Sequence, residues 1–218
     1  MSLETTNLRR LLQLFYLPPN RLQAELRKDI RQEIDKENGG GDFYSPFWAD
    51  AKDHVARKAD LGEQTANRIA ANSRTRSRLY PLLMAGFLRW WDEKRRWRNE
   101  EFEFLASVNA RFKIEEIGTV VKVENLIALK VGGEFHRLVY PYFSEDPILS
   151  KEAARIGLWL MHQALPAYPL EDLRILDVLR SASFGTIDVP LEGNEPQIFI
   201  GHHARVLAAW KKLREEYN

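Results

Sequence analysis

Eight basic side chains crowd one span of the chain: Arg74, Arg76 and Arg78 at alternate positions, then Arg89, Lys94, Arg95, Arg96 and Arg98, with Trp90, Trp91 and Trp97 among the latter. Guanidinium groups pair with phosphate oxygens through parallel N–H bonds, and indole faces stack on bases. These residue types at this spacing point to contact with DNA or RNA. Only Asp92 and Glu93 oppose the charges within the span, although Glu100, Glu101 and Glu103 follow at once. The alternative is a solvated helix face, its arginines paired with those glutamates and its tryptophans turned to the core.

Carboxylate chemistry has a weaker basis. Glu115, Glu116, Glu124 and Glu134 lie in or beside alternating segments, and Glu116 and Glu124 share parity, as solvent-facing residues often do. A metal site displaced onto Glu103, Glu116 and Glu124 is the enzymatic alternative, because a hard divalent cation needs several oxygen ligands. His202-His203 is the only histidine pair, but helix neighbours point about 100° apart and make poor joint ligands. Following Gly201 at an expected helix start, the pair suits a capping or surface role, while His54, His136 and His162 stand alone. Ser181-Ala-Ser-Phe-Gly185 lacks the Gly-x-Ser-x-Gly elbow, and Ser183 is assigned to a turn. Gly39-Gly-Gly41 has no following Lys-Ser/Thr, so no phosphate loop is read there, and Gly132-Gly133 reads as a hairpin turn. No catalytic residue, metal ligand or cofactor is implied.

The elements that must hold the basic cluster follow from hydrophobic period. Leu8 to Tyr16 has helical spacing and stops at Pro18-Pro19; a second helix runs from Asn20 through Leu22, Leu26, Ile30 and Ile34 to Asn38-Gly-Gly-Gly41. Residues 1–41 are therefore read as an N-terminal helical arm, docked on the body or on a second copy, and 42–218 as one α+β domain. Asp42 to Trp48 is an aromatic anchor, a helix spans Pro46 to Asp60, and the first half of Leu61 to Tyr80 is helical. Leu82 to Leu105 reads as one long helix carrying the basic cluster. Arg111 to Glu124, Asn125 to Val131 and Glu134 to Phe143 are three β-type segments in a row and predict a single sheet. Ser150 caps a helix through Leu165. Leu173 to Leu179 is a strong strand with a weaker partner at Ser183 to Val189, and the last helix runs from about His202 to Tyr217.

The order helix, three strands, helix, strand from Phe87 to Leu179 resembles the core of the PD-(D/E)XK nuclease superfamily, in particular its RecB-like and Cas4-like branches. The resemblance implies an αβββαβ core with an Asp on the second strand and an (Asp/Glu)-x-Lys trio on the third. Gly118-Thr-Val-Val121 and Leu138-Val-Tyr-Pro-Tyr142 fall at those places, so Val121, Tyr140 and Tyr142 stand where the metal Asp, the second acid and the lysine are expected. None can bind a divalent cation, which implies an inactive relative.

With 218 residues and a formal charge of +1, one compact domain is the default, and attraction to nucleic acid must come from local clustering rather than the global field. The absence of cysteine excludes disulfides and thiolate chemistry and suits a reducing cytoplasm. The polar first residues lack the pattern of a secretory signal, and no apolar run approaches the roughly 20 residues of a membrane span. The expectation is a cytoplasmic, non-catalytic binding protein of the α+β class. Its partners are DNA or RNA through the basic helix, or protein, including self-association, through the N-terminal arm.

Overall fold

The computed structural model describes residues 4–34, 43–105, 107–133 and 135–217. It is an α+β fold built around a sheet with a hydrophobic core on each face.

β1 (Thr5–Asn7) leads into α1 (Leu8–Tyr16), in which Leu8, Leu11, Leu12, Leu14 and Phe15 are all buried. Leu17, ahead of Pro18, is pushed into extended backbone (φ −71°, ψ 140°) and ends the helix. α2 (Pro19–Ile34) restarts on a proline, whose missing N–H costs nothing in a first turn. In the described part of residues 1–41, the apolar faces of α1 and α2 lie in the same core as the two C-terminal helices, and Ile34 is left exposed at the end of α2. Gly39, Gly40, Gly41 and Asp42 lie outside the described residues.

A helical layer follows: α3 (Ser45–Val55), α4 (Leu61–Ala71), the short α5 (Ser73–Arg76) and α6 (Leu79–Leu88). α3 stops short of the expected Asp60 because Arg57 takes a left-handed φ of 58°, and α4 is capped by Asp60, whose carboxylate accepts from the Glu63 N–H at 2.9 Å. The long helix expected over Leu82 to Leu105 is not formed. After Leu88 the backbone widens into a π-helical turn (Arg89–Lys94), closed by Arg95 N–H donating to the Trp90 carbonyl at 3.0 Å, and the chain then leaves helical geometry. The wider turn lets consecutive Trp90 and Trp91 both face inward beside Phe87, which an α-helix, stepping 100° per residue, does less well.

The strands are β2 (Phe102–Phe104), β3 (Ala110–Ile114), β4 (Thr119–Val123), β5 (Ile127–Val131), β6 (Phe135–Tyr142), β7 (Leu173–Asp177) and β8 (Ala182–Phe184). Among the described residues they form two sheets, not the one expected from three consecutive segments: β1-β4-β3, and β2-β5-β6-β7-β8. The Arg111–Glu124 run is broken at Gly118 (φ 63°), so β3 pairs with β4, and β4 with β1 on its other side, while β5 and β6 join the larger sheet. Gly132 and Gly133 supply the two positive φ values of the β5–β6 hairpin. β6 and β7 run parallel, connected by α7 (Lys151–Ala164), and β2–β5, β5–β6 and β7–β8 are antiparallel. The Ser150 hydroxyl caps α7, accepting from Ala153 N–H at 3.0 Å. β8 is shorter than expected, since Gly185 to Val189 fold into a turn. α8 (Glu195–Glu215) begins ahead of the expected His202, with Pro196 in its first turn.

Side-chain alternation divides the larger sheet. Ala128, Leu138, Tyr140, Leu173 and Ile175 meet α1, α7 and α8; Ile127, Leu129, Val131, Val139 and Leu176 meet α3, α6 and the π-turn. No helix among the described residues is long and apolar enough to cross a membrane.

Candidate functional site

Where the helical layer thins beyond the π-turn, the second face of the larger sheet is no longer covered by apolar groups. Arg137 shares this face with Val139 on β6, and Arg174 shares it with Leu176 on β7; the parallel register sets Val139 beside Arg174. Above them the end of the π-turn and the following loop bring Lys94, Arg95 and Arg96, and the turn after β8 brings Ile187 and Asp188. The result is a pocket of about 390 Å³, lined also by Trp90, Trp97, Ser181 and Ser183. Among the described residues five cationic side chains line it against the single carboxylate of Asp188.

Each cation is held. Lys94 Nζ donates to the Ser181 carbonyl at 3.1 Å, tying the π-turn to the β7–β8 connection. Arg96 Nη2 lies 3.5 Å from an Asp188 oxygen, with the Arg96 side chain largely exposed and that of Asp188 about a third exposed. Arg137 donates to Asp172 Oδ1 at 2.7 Å. Arg174 donates to the carbonyls of Glu171 and Leu173 and lies across Gly185, where an added Cβ would come within 2.3 Å of its Nη1. Burial, then the charges of Arg137 and Arg96, lower the pKa of Arg174, which marks a site where positive charge is already crowded.

The cluster expected from sequence divides. Lys94, Arg95 and Arg96 reach the pocket, joined by Arg137 and Arg174, which no local pattern grouped with them. Arg76 donates to the Arg68 carbonyl at 3.2 Å and lies over the Tyr80 ring, and Arg78 makes two 2.6 Å bonds to Glu145. Arg74 is exposed on α5. Arg89 sits 3.8 Å from Glu93 and lines a neighbouring hollow with Arg180 and Glu145 that shares Ser181 with the pocket. Arg98 donates to the Glu93 carbonyl.

The expected base-stacking platform is not present on the surface. Trp90, Trp91 and Trp97 are 3%, 6% and 9% exposed, packed with Phe87 and Phe102. Arg95 lies over the Trp91 ring instead, 3.7 Å from its centroid, with Trp97 and Phe102 alongside. Burial depresses its pKa, and Nε and Nη1 are enclosed without hydrogen-bond partners. Arg95 is thus half structural: its guanidinium closes an aromatic box while its edge borders the pocket.

The displaced carboxylate site is not assembled. Glu116 precedes β4 and Glu124 follows it, so a five-residue strand rising roughly 3.3 Å per residue holds them about 15 Å or more apart. Glu124 pairs with Arg111 at 3.4 Å, and Glu103 belongs to the other sheet. Among the described residues no three His, Cys, Asp or Glu side chains gather as a metal site would require. Val121 is buried on β4, in a different sheet from Tyr140 and Tyr142. The Tyr140 hydroxyl accepts from the Arg9 N–H at 2.9 Å; Tyr142 donates to the Pro147 carbonyl at 2.7 Å, and burial raises its pKa.

His202-His203 lies within α8 rather than at its start: His202 stacks on Phe15, and buried His203 meets the Thr119 hydroxyl through Nε2 at 3.0 Å. Ser183 is on β8 rather than in a turn. No protein-family model and no curated protein matches the chain in sequence.

Proposed function

We propose that the protein is a non-catalytic nucleic-acid-binding protein that grips phosphate groups through Lys94, Arg96, Arg137 and Arg174 at the pocket, with Arg98 beside them. The observation that carries this reading is the charge at one concave site: five cations line it against one carboxylate. Backbone phosphates reward such a site regardless of sequence. Among the described residues Trp90, Trp91 and Trp97 are buried, and Trp90 and Trp97 reach only the pocket wall, so they offer no open stacking platform and the binding is expected to be indifferent to sequence.

A scaffold related to the PD-(D/E)XK nucleases fits the same reading. α6 is followed by five strands rather than the expected three; of these β2, β5 and β6 share the larger sheet with β7, which α7 precedes, while β3 and β4, from the Arg111–Glu124 segment, lie in the smaller sheet. β5 reads Ile-Ala-Leu-Lys-Val and β6 reads Phe-His-Arg-Leu-Val-Tyr-Pro-Tyr. Neither strand holds a carboxylate, so metal-assisted hydrolysis has no ligands at the positions the resemblance would give them.

The test is fluorescence anisotropy of labelled single- and double-stranded DNA and RNA across a salt series. Each phosphate neutralised contributes a slope of about −0.7 to −0.9 in log K against log salt, and a slope of about −2 to −4 is expected. Absence of binding at low ionic strength, or binding indifferent to salt, removes the reading.

A further inference from the structure

Asp188 holds a place in the pocket that an external anion would suit. Its Oδ2 accepts from the Gly185 N–H at 3.0 Å, which fixes the turn after β8, and its Oδ1 faces Arg96 at 3.5 Å across the pocket. The Arg96–Asp188 pair and the Lys94–Ser181 bond both connect the π-turn side to the β8 side. Both contacts join residues that line the pocket, and the Arg96–Asp188 pair is the one whose carboxylate an incoming anion can replace.

The pair is also the weaker tie. Ion pairs between partly exposed side chains contribute little and exchange readily for a better anion. A phosphomonoester brings a charge of about −1.5 to −2 at neutral pH and three acceptor oxygens, against −1 for a diester. The pocket volume of about 390 Å³ falls in the range of roughly 300–1,000 Å³ typical of small-ligand sites and exceeds what a lone phosphate fills. Val139 and Ile187 add apolar lining beside the cations, room for the sugar and base attached to the phosphate.

We propose that this pocket is a phosphomonoester site, taking the phosphorylated end of a polynucleotide or a free nucleotide, and that Asp188 is its internal competitor, releasing Arg96 to the incoming phosphate. In this scheme Lys94 and Arg174 meet the phosphate from opposite sides, and Asp188 swings away with its Gly185 bond kept. The polynucleotide as source rests on the nucleic-acid reading above; the site itself does not.

The full chain is titrated with a short single-stranded oligonucleotide bearing a 5′-phosphate or a 5′-hydroxyl, labelled at the 3′ end, and by calorimetry with adenosine 5′-monophosphate and adenosine. The phosphorylated ligand of either pair is expected to bind about tenfold tighter or more, as charge-assisted bonds replace none. Asp188→Asn keeps an acceptor for Gly185 and is expected to tighten phosphate binding several-fold. Lys94→Ala is expected to loosen it, and melting midpoints check that both variants are folded. Tightening on removal of a carboxylate is not an effect of damaged structure.

Equal binding of phosphorylated and hydroxyl-ended oligonucleotides, with salt dependence intact, overturns the site and leaves the nucleic-acid reading standing. Nucleotide binding without any oligonucleotide binding keeps the site and removes that reading. A folded Asp188→Asn protein with unchanged or weaker affinity overturns the competitor role.

Discussion

The guanidinium carbon of Arg95 lies 3.7 Å from the centroid of the Trp91 ring, closer than to any other aromatic it touches. A cation over an indole face, partly shielded from water, stabilises by about 0.5–2 kcal/mol, and the aliphatic stem adds packing. Arg95→Ala is therefore expected to lower stability by about 1–2 kcal/mol in urea unfolding while changing the salt slope of the proposed nucleic-acid binding little. Arg96→Ala and Lys94→Ala should do the reverse. A large binding loss in a fully stable Arg95→Ala protein would show that its charge faces the ligand rather than the indole.

Gly185 allows Arg174 to lie flat across the strand end, because a Cβ there would meet Nη1, Cζ and Nε within 2.7 Å. These are side-chain atoms, so Gly185→Ala moves the arginine rather than the backbone. Melting should change by less than about 1 kcal/mol, whereas phosphate affinity should fall several-fold. Unaltered affinity in this variant would take Arg174 out of the binding group.

Gly86 and Gly201 make a matched pair of helix substitutions. At Gly86 on α6 an added Cβ would sit 2.1 Å from the Val178 carbonyl oxygen, and the Ser181 hydroxyl donates to the Gly86 carbonyl at 2.8 Å. Gly86→Ala must push α6 off the end of β7 and is expected to cost about 2–3 kcal/mol. Gly201, on α8, has nothing within 4 Å of its Cβ position, so Gly201→Ala should gain about 0.5–1 kcal/mol from helix propensity. Thermal unfolding of the two variants beside the parent protein checks both signs.

Asp177 at the end of β7 is 1% exposed, and Arg180 reaches it at 3.2 Å while also donating to the Ser144 and Glu145 carbonyls. Burial raises the carboxyl pKa above its ordinary value, with Arg180 acting against the rise. The native state then binds this proton more tightly than the unfolded chain does. The group's contribution to stability falls as pH rises through the window between the unfolded and folded values and is most favourable below both. Arg180→Ala removes the carboxylate's ionic partner and leaves it backbone N–H donors such as that of residue 180, so the cost, about 2–4 kcal/mol near neutrality, should shrink as pH is lowered into the carboxylate range. A cost constant from neutral to acid pH would mean that Arg180 acts through its carbonyl bonds instead.

Much of the scaffold was readable residue by residue. Ser150 as a cap, the Leu8–Tyr16 stripe and the Gly132-Gly133 turn each depend on local chemistry and stand as expected, and of the strand expected over Leu173–Leu179 the first five residues form β7. The long helix over Leu82–Leu105 failed because Trp91, Phe102 and Leu105 are apolar at helical spacing for another reason: Trp91 is drawn inward by the π-turn and Phe102 begins an edge strand. Nor does alternation along Arg111–Val131 say which strands share a sheet. That is decided by β1, which takes β4 as its partner from far away in sequence. For the site, Lys94–Arg96 stood out as a run, whereas Arg137 and Arg174 did not. Their one signal is parity: each is a cation at a position whose neighbours two residues on, Val139 and Leu176, are buried.

The pairing of Thr5–Asn7 with Val120–Lys122 has a bearing on biogenesis. Thr5–Asn7 finds its hydrogen-bonding partner only after more than a hundred further residues have been synthesised, and the leucines of α1 wait with it, exposed to solvent. Closing so long a loop is slow compared with forming a hairpin such as β5–β6. The small sheet, and with it the core that α1 shares with α7 and α8, should therefore mature late, and the nascent chain should be most prone to clumping before they do.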